Sequence, residues 1–231
     1  MLALKQALSL VTIGRRSNEW SPILESSLAA WYKFNTGIGL TGSDVRSWAD
    51  SGTRGFNMIQ GTAVNQPAFS AGVLTFDPSA PSFLSTDSTE ITLPNDFTIG
   101  VRLNIAATGG IIVGDNTEDG ELLKVFSTNK IAIRIDNQTR VELQLDGGAS
   151  LLESESYLII TRTGGSGDLK LWWNGVQQAS SAAMTGTANI DSIGVRKTDA
   201  NPFDGTIREI QIYNSANDTL AENIGDSLSS L

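Results

Sequence analysis

The chain has 231 residues, a formal net charge of −9, no Cys and no His. Those absences exclude disulfide staples, thiolate or imidazole metal sites, and any nucleophilic triad built on Cys or His. The acidity, with no dense basic patch, disfavours direct nucleic-acid binding. A chain this long buries roughly 70–75% of its unfolded surface, enough for one core without a metal.

Residues 1–27 read as an arm and linker. Leu4, Leu8, Leu10, Val11 and Ile13 supply its apolar positions, and Arg15-Arg16 follow. Lys5 interrupts the apolar stretch, and the arginines stand where a small-residue cleavage site belongs, so the segment reads against a cleavable leader. No run approaches the ~20 apolar residues of a membrane span. The arm either packs on its own subunit or docks on a neighbour by strand addition or groove insertion. In the docking case the five apolar residues are the anchors, and Arg15 and Arg16 pair with acidic groups of the partner.

Strand-like segments then recur about every 8–12 residues. They cover 28–34, 45–48, 73–76, 82–84, 91–93, 97–105, 110–113, 122–127, 130–136, 140–145, 157–163, 169–173, 176–179, 190–195 and 207–213. Turn-forming residues separate them, as at Asp77-Pro78, Pro94-Asn95-Asp96 and Asp146-Gly147-Gly148. The clearest stretch runs from Tyr157 to Gln178. Tyr157 to Thr163 is apolar and β-branched, and a glycine-rich turn follows. Leu169, Leu171 and Trp173 then share one face, with Lys170 and Trp172 on the other. Asn174-Gly175 suits a type I′ hairpin turn. Only 219–231 has helical spacing, through Leu220, Ile224 and Leu228. The pattern predicts an all-β, two-sheet antiparallel jelly-roll sandwich over 28–214, with a helical tail over 215–231.

Several residues are candidates for chemistry. The loop from Asp115 to Glu121 is the densest acidic run, with oxygen donors at alternate positions that suit calcium. Its Asp-Asn and Asp-Gly pairs are also ordinary turn formers. Asp50, Asn57 and Gln60 are either sugar ligands or turn-forming and buried polar groups, and Asp-Ser-Gly favours the turn. Trp172 is either a surface stacking platform or part of the sheet packing. Glu153 and Glu155 share a strand face but read as solvated turn residues. No catalytic residue is assigned.

Four blocks occur in a recognisable order: Leu28-Ala29-Ala30-Trp31-Tyr32; Trp48-Ala49-Asp50-Ser51-Gly52 with Asn57, Gln60, Gln66-Pro67 and Val73 to Asp77; the Tyr157–Gln178 hairpin; and Phe203 to Asn214. Together they resemble the concanavalin A-like, laminin-G-like sandwich family. The resemblance implies a jelly roll, and calcium sites are common among laminin-G-like relatives. Glycanases of this fold resemble one another in an E-x-D-x-x-E strand, which is missing here, so a glycan hydrolase is disfavoured. The arm joined to such a domain also resembles structural proteins of tailed bacteriophage particles. That implies a non-enzymatic virion structural protein, such as a capsid decoration protein anchored through its arm. Its partners would be other virion proteins and copies of itself, and it would be located in the virion. The alternative is a lectin-like adhesion module that recognises host surface glycans.

Overall fold

In a computed structural model of the protein, the described residues are 20–231 without 88, 116–120, 136–137, 153, 164–166 and 197–198. The strands are β1 (Leu28–Tyr32), β2 (Ile38–Thr41), β3 (Asp44–Trp48), β4 (Met58–Ile59), β5 (Ala68–Ser70), β6 (Val73–Phe76) and β7 (Leu84–Thr86). They continue with β8 (Ile91–Leu93), β9 (Phe97–Ile105), β10 (Ile111–Gly114), β11 (Glu121–Ser127), β12 (Lys130–Arg134) and β13 (Val141–Gln144). The last are β14 (Ser156–Thr163), β15 (Asp168–Trp173), β16 (Val176–Ala183), β17 (Ala188–Ile190), β18 (Ser192–Ile193) and β19 (Gly205–Tyr213), followed by helix α1 (Asp218–Ser229).

Two antiparallel layers form a sandwich. The first runs β1-β19-β9-β14-β15-β16. The second runs β2-β3-β4-β7-β18-β10-β11-β12-β13. The β5-β6 hairpin joins them, because β5 pairs with β3 and β6 pairs with the start of β19. Alternation along the long strands divides the side chains. Ile99, Val101 and Leu103 of β9, Leu158 and Ile160 of β14, and Leu169, Leu171 and Trp173 of β15 all enter the core between the layers. The Asn174-Gly175 turn has φ of 48° and 80°, and Trp173 pairs directly with Val176, as a two-residue turn with positive φ at both positions requires.

The outer face of the first layer carries a second apolar cluster under α1. Leu220, Ala221, Ile224 and Leu228 pack there on Leu28, Trp31, Ile159, Trp172 and Tyr213. Asn217 caps the helix by accepting the Leu220 N–H at 2.8 Å, which satisfies one otherwise unpaired donor of the first turn. Gly100 of β9 lets the helix sit close, since a Cβ there would lie 2.4 Å from Ile224 Cγ2 and 3.1 Å from Leu228 Cδ1.

Three short strands, β2, β4 and β5, lack a predicted counterpart. Neither β2 nor β5 has a buried residue, and β4 buries Met58 alone, so no apolar alternation announces them. The segment expected over 190–195 divides at Asp191. Before it, β17 pairs with β8; after it, β18 pairs with β7 and β10. Within the described part of the arm and linker expected over 1–27, Pro22 is buried and the Trp20 ring lies 6.4 Å from that of Tyr213.

Gly100→Val should lower stability by about 1–3 kcal/mol through overpacking under α1. Gly225→Ala, whose new methyl meets nothing nearer than 3.5 Å, should raise it by about 0.5–1 kcal/mol. Urea unfolding followed by tryptophan fluorescence measures both.

Candidate functional site

Helix α1 covers only part of the outer face. Beyond it a row of cations and rings crosses four neighbouring strands, β1, β19, β9 and β14. The backbone register pairs Glu209 with Arg102 and Arg102 with Tyr157. A bulge in β19 builds the centre of this row. The register against β9 shifts between Ile207 and Glu209, and Ile207 and Ile210 both enter the core. The extra residue lets Arg208 and Glu209 face outward together, since a bulge opposes two residues to one and re-aims a side chain.

Each cation of the row lies over a ring. Lys33 Nζ is 4.8 Å from the Trp31 ring centre, the Arg208 guanidinium carbon 5.0 Å from that of Phe34, and the Arg102 guanidinium carbon 6.0 Å from that of Tyr157. Glu155 Oε1 sits 3.2 Å from Arg102 Nε and 2.6 Å from Arg208 Nε. Neither contact is aligned as a hydrogen bond, and both Nε–H groups are buried without an acceptor. These pairs are electrostatic contacts with donors left over.

Beneath the row, Glu209 is buried. Its carboxylate accepts from Trp31 Nε1 at 2.8 Å, the Phe34 N–H at 2.9 Å and Gln211 Nε2 at 2.7 Å. The Tyr213 hydroxyl donates to Gln211 Oε1 at 2.8 Å. Burial, and then the Glu209 charge, push that hydroxyl's pKa far up, so it stays a donor. At the α1 end, Tyr157 borders a notch of about 80 Å³ shared with Trp172, Gly175, Glu222, Gly225 and Asp226. Burial, and then Asp226, raise the Tyr157 hydroxyl above its usual value.

At the Glu121 end of the Asp115–Glu121 loop, cations enclose the acid. The Glu121 side chain is 0% exposed, with Lys124 Nζ and Arg196 Nε each 3.2 Å from Oε1. Arg140 approaches Oε2 through Nε, at 2.6 Å, and through Nη2. Burial alone would raise this carboxyl, but the Arg140 hydrogen bond and the Lys124 and Arg140 charges hold it below the usual range. Three cations fill both oxygens, so Glu121 does not fit a calcium ligand. Residues 116–120 lie outside the described residues.

Asp50 is a turn organiser. Its Oδ1 accepts the Trp31 and Gly52 N–H groups at 2.9 and 2.7 Å, and its Oδ2 those of Gly55 and Phe56 at 3.1 and 3.3 Å. Asn57 Oδ1 accepts the Asp50 N–H at 3.1 Å, and Gln60 bonds Phe83 O and the Thr62 N–H. Trp172 lies under α1 and Trp173 in the core, so Trp172 packs in the sheet and is no open platform. Glu153 is outside the described residues, as are Leu4, Leu8, Leu10, Val11, Ile13, Arg15 and Arg16. Sequence reasoning missed the row altogether. Its one signal was the three-residue spacing from Ile207 to Ile210 inside an alternating strand.

The chain belongs to the concanavalin A-like lectin/glucanases superfamily: the profile of its third laminin-G family matches residues 79–219. No curated protein matches the sequence. Among solved structures it is similar to a Trypanosoma rangeli sialidase in complex with sialic acid, with TM-score 0.59 and 14% identity over 90% of this chain and 34% of that one. It is also similar to the native heptameric SAP-like pentraxin from Limulus polyphemus, with TM-score 0.50 and 12% identity over 69% of this chain and 77% of that one. A carbohydrate-binding module of a Ruminococcus gnavus sialidase, bound to α2,3-sialyllactose, aligns at TM-score 0.43 and 16% identity over 59% of this chain and 82% of that one. The likenesses to the trypanosomal sialidase and the pentraxin show the fold. The chain spans about a third of the trypanosomal sialidase.

Glu121→Gln should cost about 3 kcal/mol, because Lys124, Arg140 and Arg196 lose a buried countercharge that they share. The folded Glu121 pKa is depressed, so its contribution is full above the ordinary glutamate value of about 4.3. It is lost as pH falls through the lower folded value. Thermal unfolding between pH 7 and pH 3 should show wild type and variant converging at the acid end.

Proposed function

We propose that this protein is a non-enzymatic, lectin-like glycan-binding sandwich, with the row from Lys33 to Tyr157 as its contact surface. The observation that carries this reading is the alignment of three ring–cation pairs across four strands, on the part of the outer face that α1 leaves half-exposed. Aromatic faces stack on the C–H faces of sugar rings, and neighbouring charged groups bond the hydroxyls; binding sites combine an apolar floor with a few placed polar groups in this way. The non-enzymatic part rests on how the row's two carboxylates are used. Glu155 lies between two guanidiniums, and Glu209 is buried beneath three donors. Neither resembles the pair of working carboxyl groups that flanks a glycosidic bond. Membership of a superfamily of lectins and glucanases supports the substrate class.

A virion or other particle-surface setting is a separate part of the proposal, and it rests on the apolar arm at residues 4–16. Light scattering of the full chain beside a chain lacking residues 1–19 tests it. An assembling full chain with a folded monomeric truncation supports the arm as an anchor, and two monomers remove that support.

For the glycan reading, a glycan array should return hits that are the same with calcium and with EGTA. Tyr157→Ala should weaken them about tenfold, equivalent to about 1.4 kcal/mol, and leave the fold intact by circular dichroism. An array without hits in both conditions would overturn the reading.

A further inference from the structure

We infer that the row selects an anionic saccharide, one carrying a carboxylate or sulfate, held with its acid group on Arg102 and Arg208 and its neutral portion toward Tyr157. This rests on the glycan reading above and adds the ligand class and orientation.

An arginine carries five N–H donors and a lysine three. Arg102 and Arg208 share one oxygen of Glu155 through their buried Nε atoms, while their guanidinium ends, on side chains 15% and 22% exposed, have no hydrogen bond to another described residue. The Lys33 ammonium lies over the Trp31 ring, a contact that uses the charge and satisfies no N–H. The second carboxylate, Glu209, is held from below by three donors of its own. The surface therefore gathers three cations with open donors, on a chain whose net charge is −9. A neutral sugar would desolvate these cations and return no charge, which is costly. A carboxylate or sulfate offers planar or forked acceptors that match guanidinium geometry.

Orientation follows from the other end of the row. Glu222 and Asp226 flank Tyr157 across the notch, and their charge repels an acid group there. The same carboxylates accept sugar hydroxyls, and the Tyr157 hydroxyl, kept protonated by burial and by Asp226, donates to them or to the ligand. One end of the site thus prefers negative charge and the other prefers hydroxyls.

A second cationic cluster, around Glu121, is the natural competitor. There Lys124 and Arg140 converge on a carboxylate that already occupies them through both of its oxygens. That cluster is a closed ion network, and it supplies the control.

The test is calorimetric titration of the full chain with matched pairs of saccharides: a uronic-acid oligosaccharide beside its carboxyl-reduced form, and a sulfated oligosaccharide beside its desulfated form. The acidic member of at least one pair should bind ten or more times tighter than its neutral counterpart, and the two pairs separate carboxylate from sulfate. Arg208→Gln should bring the acidic member down to the neutral level, and Lys33→Gln, which removes a charge beside the acid seat, should weaken the acidic member alone by a smaller factor, while Tyr157→Phe should weaken both members alike. Among the described residues the Lys33 ammonium meets the Trp31 ring and no acceptor, so its variant stays informative if loss of Arg208 disturbs the bulge. Equal affinity for acidic and neutral members would overturn the anionic class and leave the glycan reading standing. Absence of binding to every member would overturn both. Selectivity that survives Arg208→Gln and Lys33→Gln but falls with Arg140→Gln would move the site to the Glu121 cluster and overturn the placement.

Discussion

The buried Glu209 carboxylate ties the first described strand of the chain to the last. It accepts the Trp31 indole N–H and the Phe34 backbone N–H from the opening strand region, 178 and 175 residues away in sequence, together with the Gln211 amide from its own strand. A buried charge is tolerated only when its oxygens are filled by donors, and here those donors come from both chain ends. The same bonds that satisfy Glu209 therefore hold β1 against β19 and set Trp31 and Phe34 on the outer face. Arg208 stands beside it because of the bulge, and Arg102 and Tyr157 follow through the ladder. The candidate surface is thus a consequence of how one buried acid is satisfied.

The outer face of the first layer is divided between two uses of the same sheet. Where β9 carries Gly100 and β14 carries Ile159, α1 lies close and buries Trp172. Two residues along β9 the sheet turns to Arg102, and the cover gives way to charge. Gly100 matters in this division because any side chain there would hold the helix away. The packing that makes Trp172 unavailable as a platform also fixes where Tyr157 meets the helix acids, and so shapes the notch beside the row.

Much of the architecture is legible from local chemistry. Asn174-Gly175 reads as a two-residue hairpin turn and adopts positive φ at both residues. Leu169, Leu171 and Trp173 read as one face and enter one core. Leu220, Ile224 and Leu228 read as a helical stripe and pack as one. Strands β2, β4 and β5 escape notice because they are short and have few or no buried residues, so their pairing comes from neighbours and not from their own pattern. Asp50 reads as a turn residue from Asp-Ser-Gly, and it is one. The ring–cation row has no local signature. Lys33, Arg102, Tyr157 and Arg208 are scattered along the chain, and each looks like an ordinary outward residue of an alternating strand.

Alternation with period two, turn residues with their required φ, and one helical stripe were enough to determine an antiparallel sandwich with a helical tail, because each depends only on neighbouring residues. Only the tertiary structure decided which outward residues meet. Strand order, the bulge at Arg208 and the seat of α1 are long-range outcomes. They turn residues from the beginning, middle and end of the chain into one surface, and they withdraw Trp172 and Glu121 from solvent as fully as the core itself.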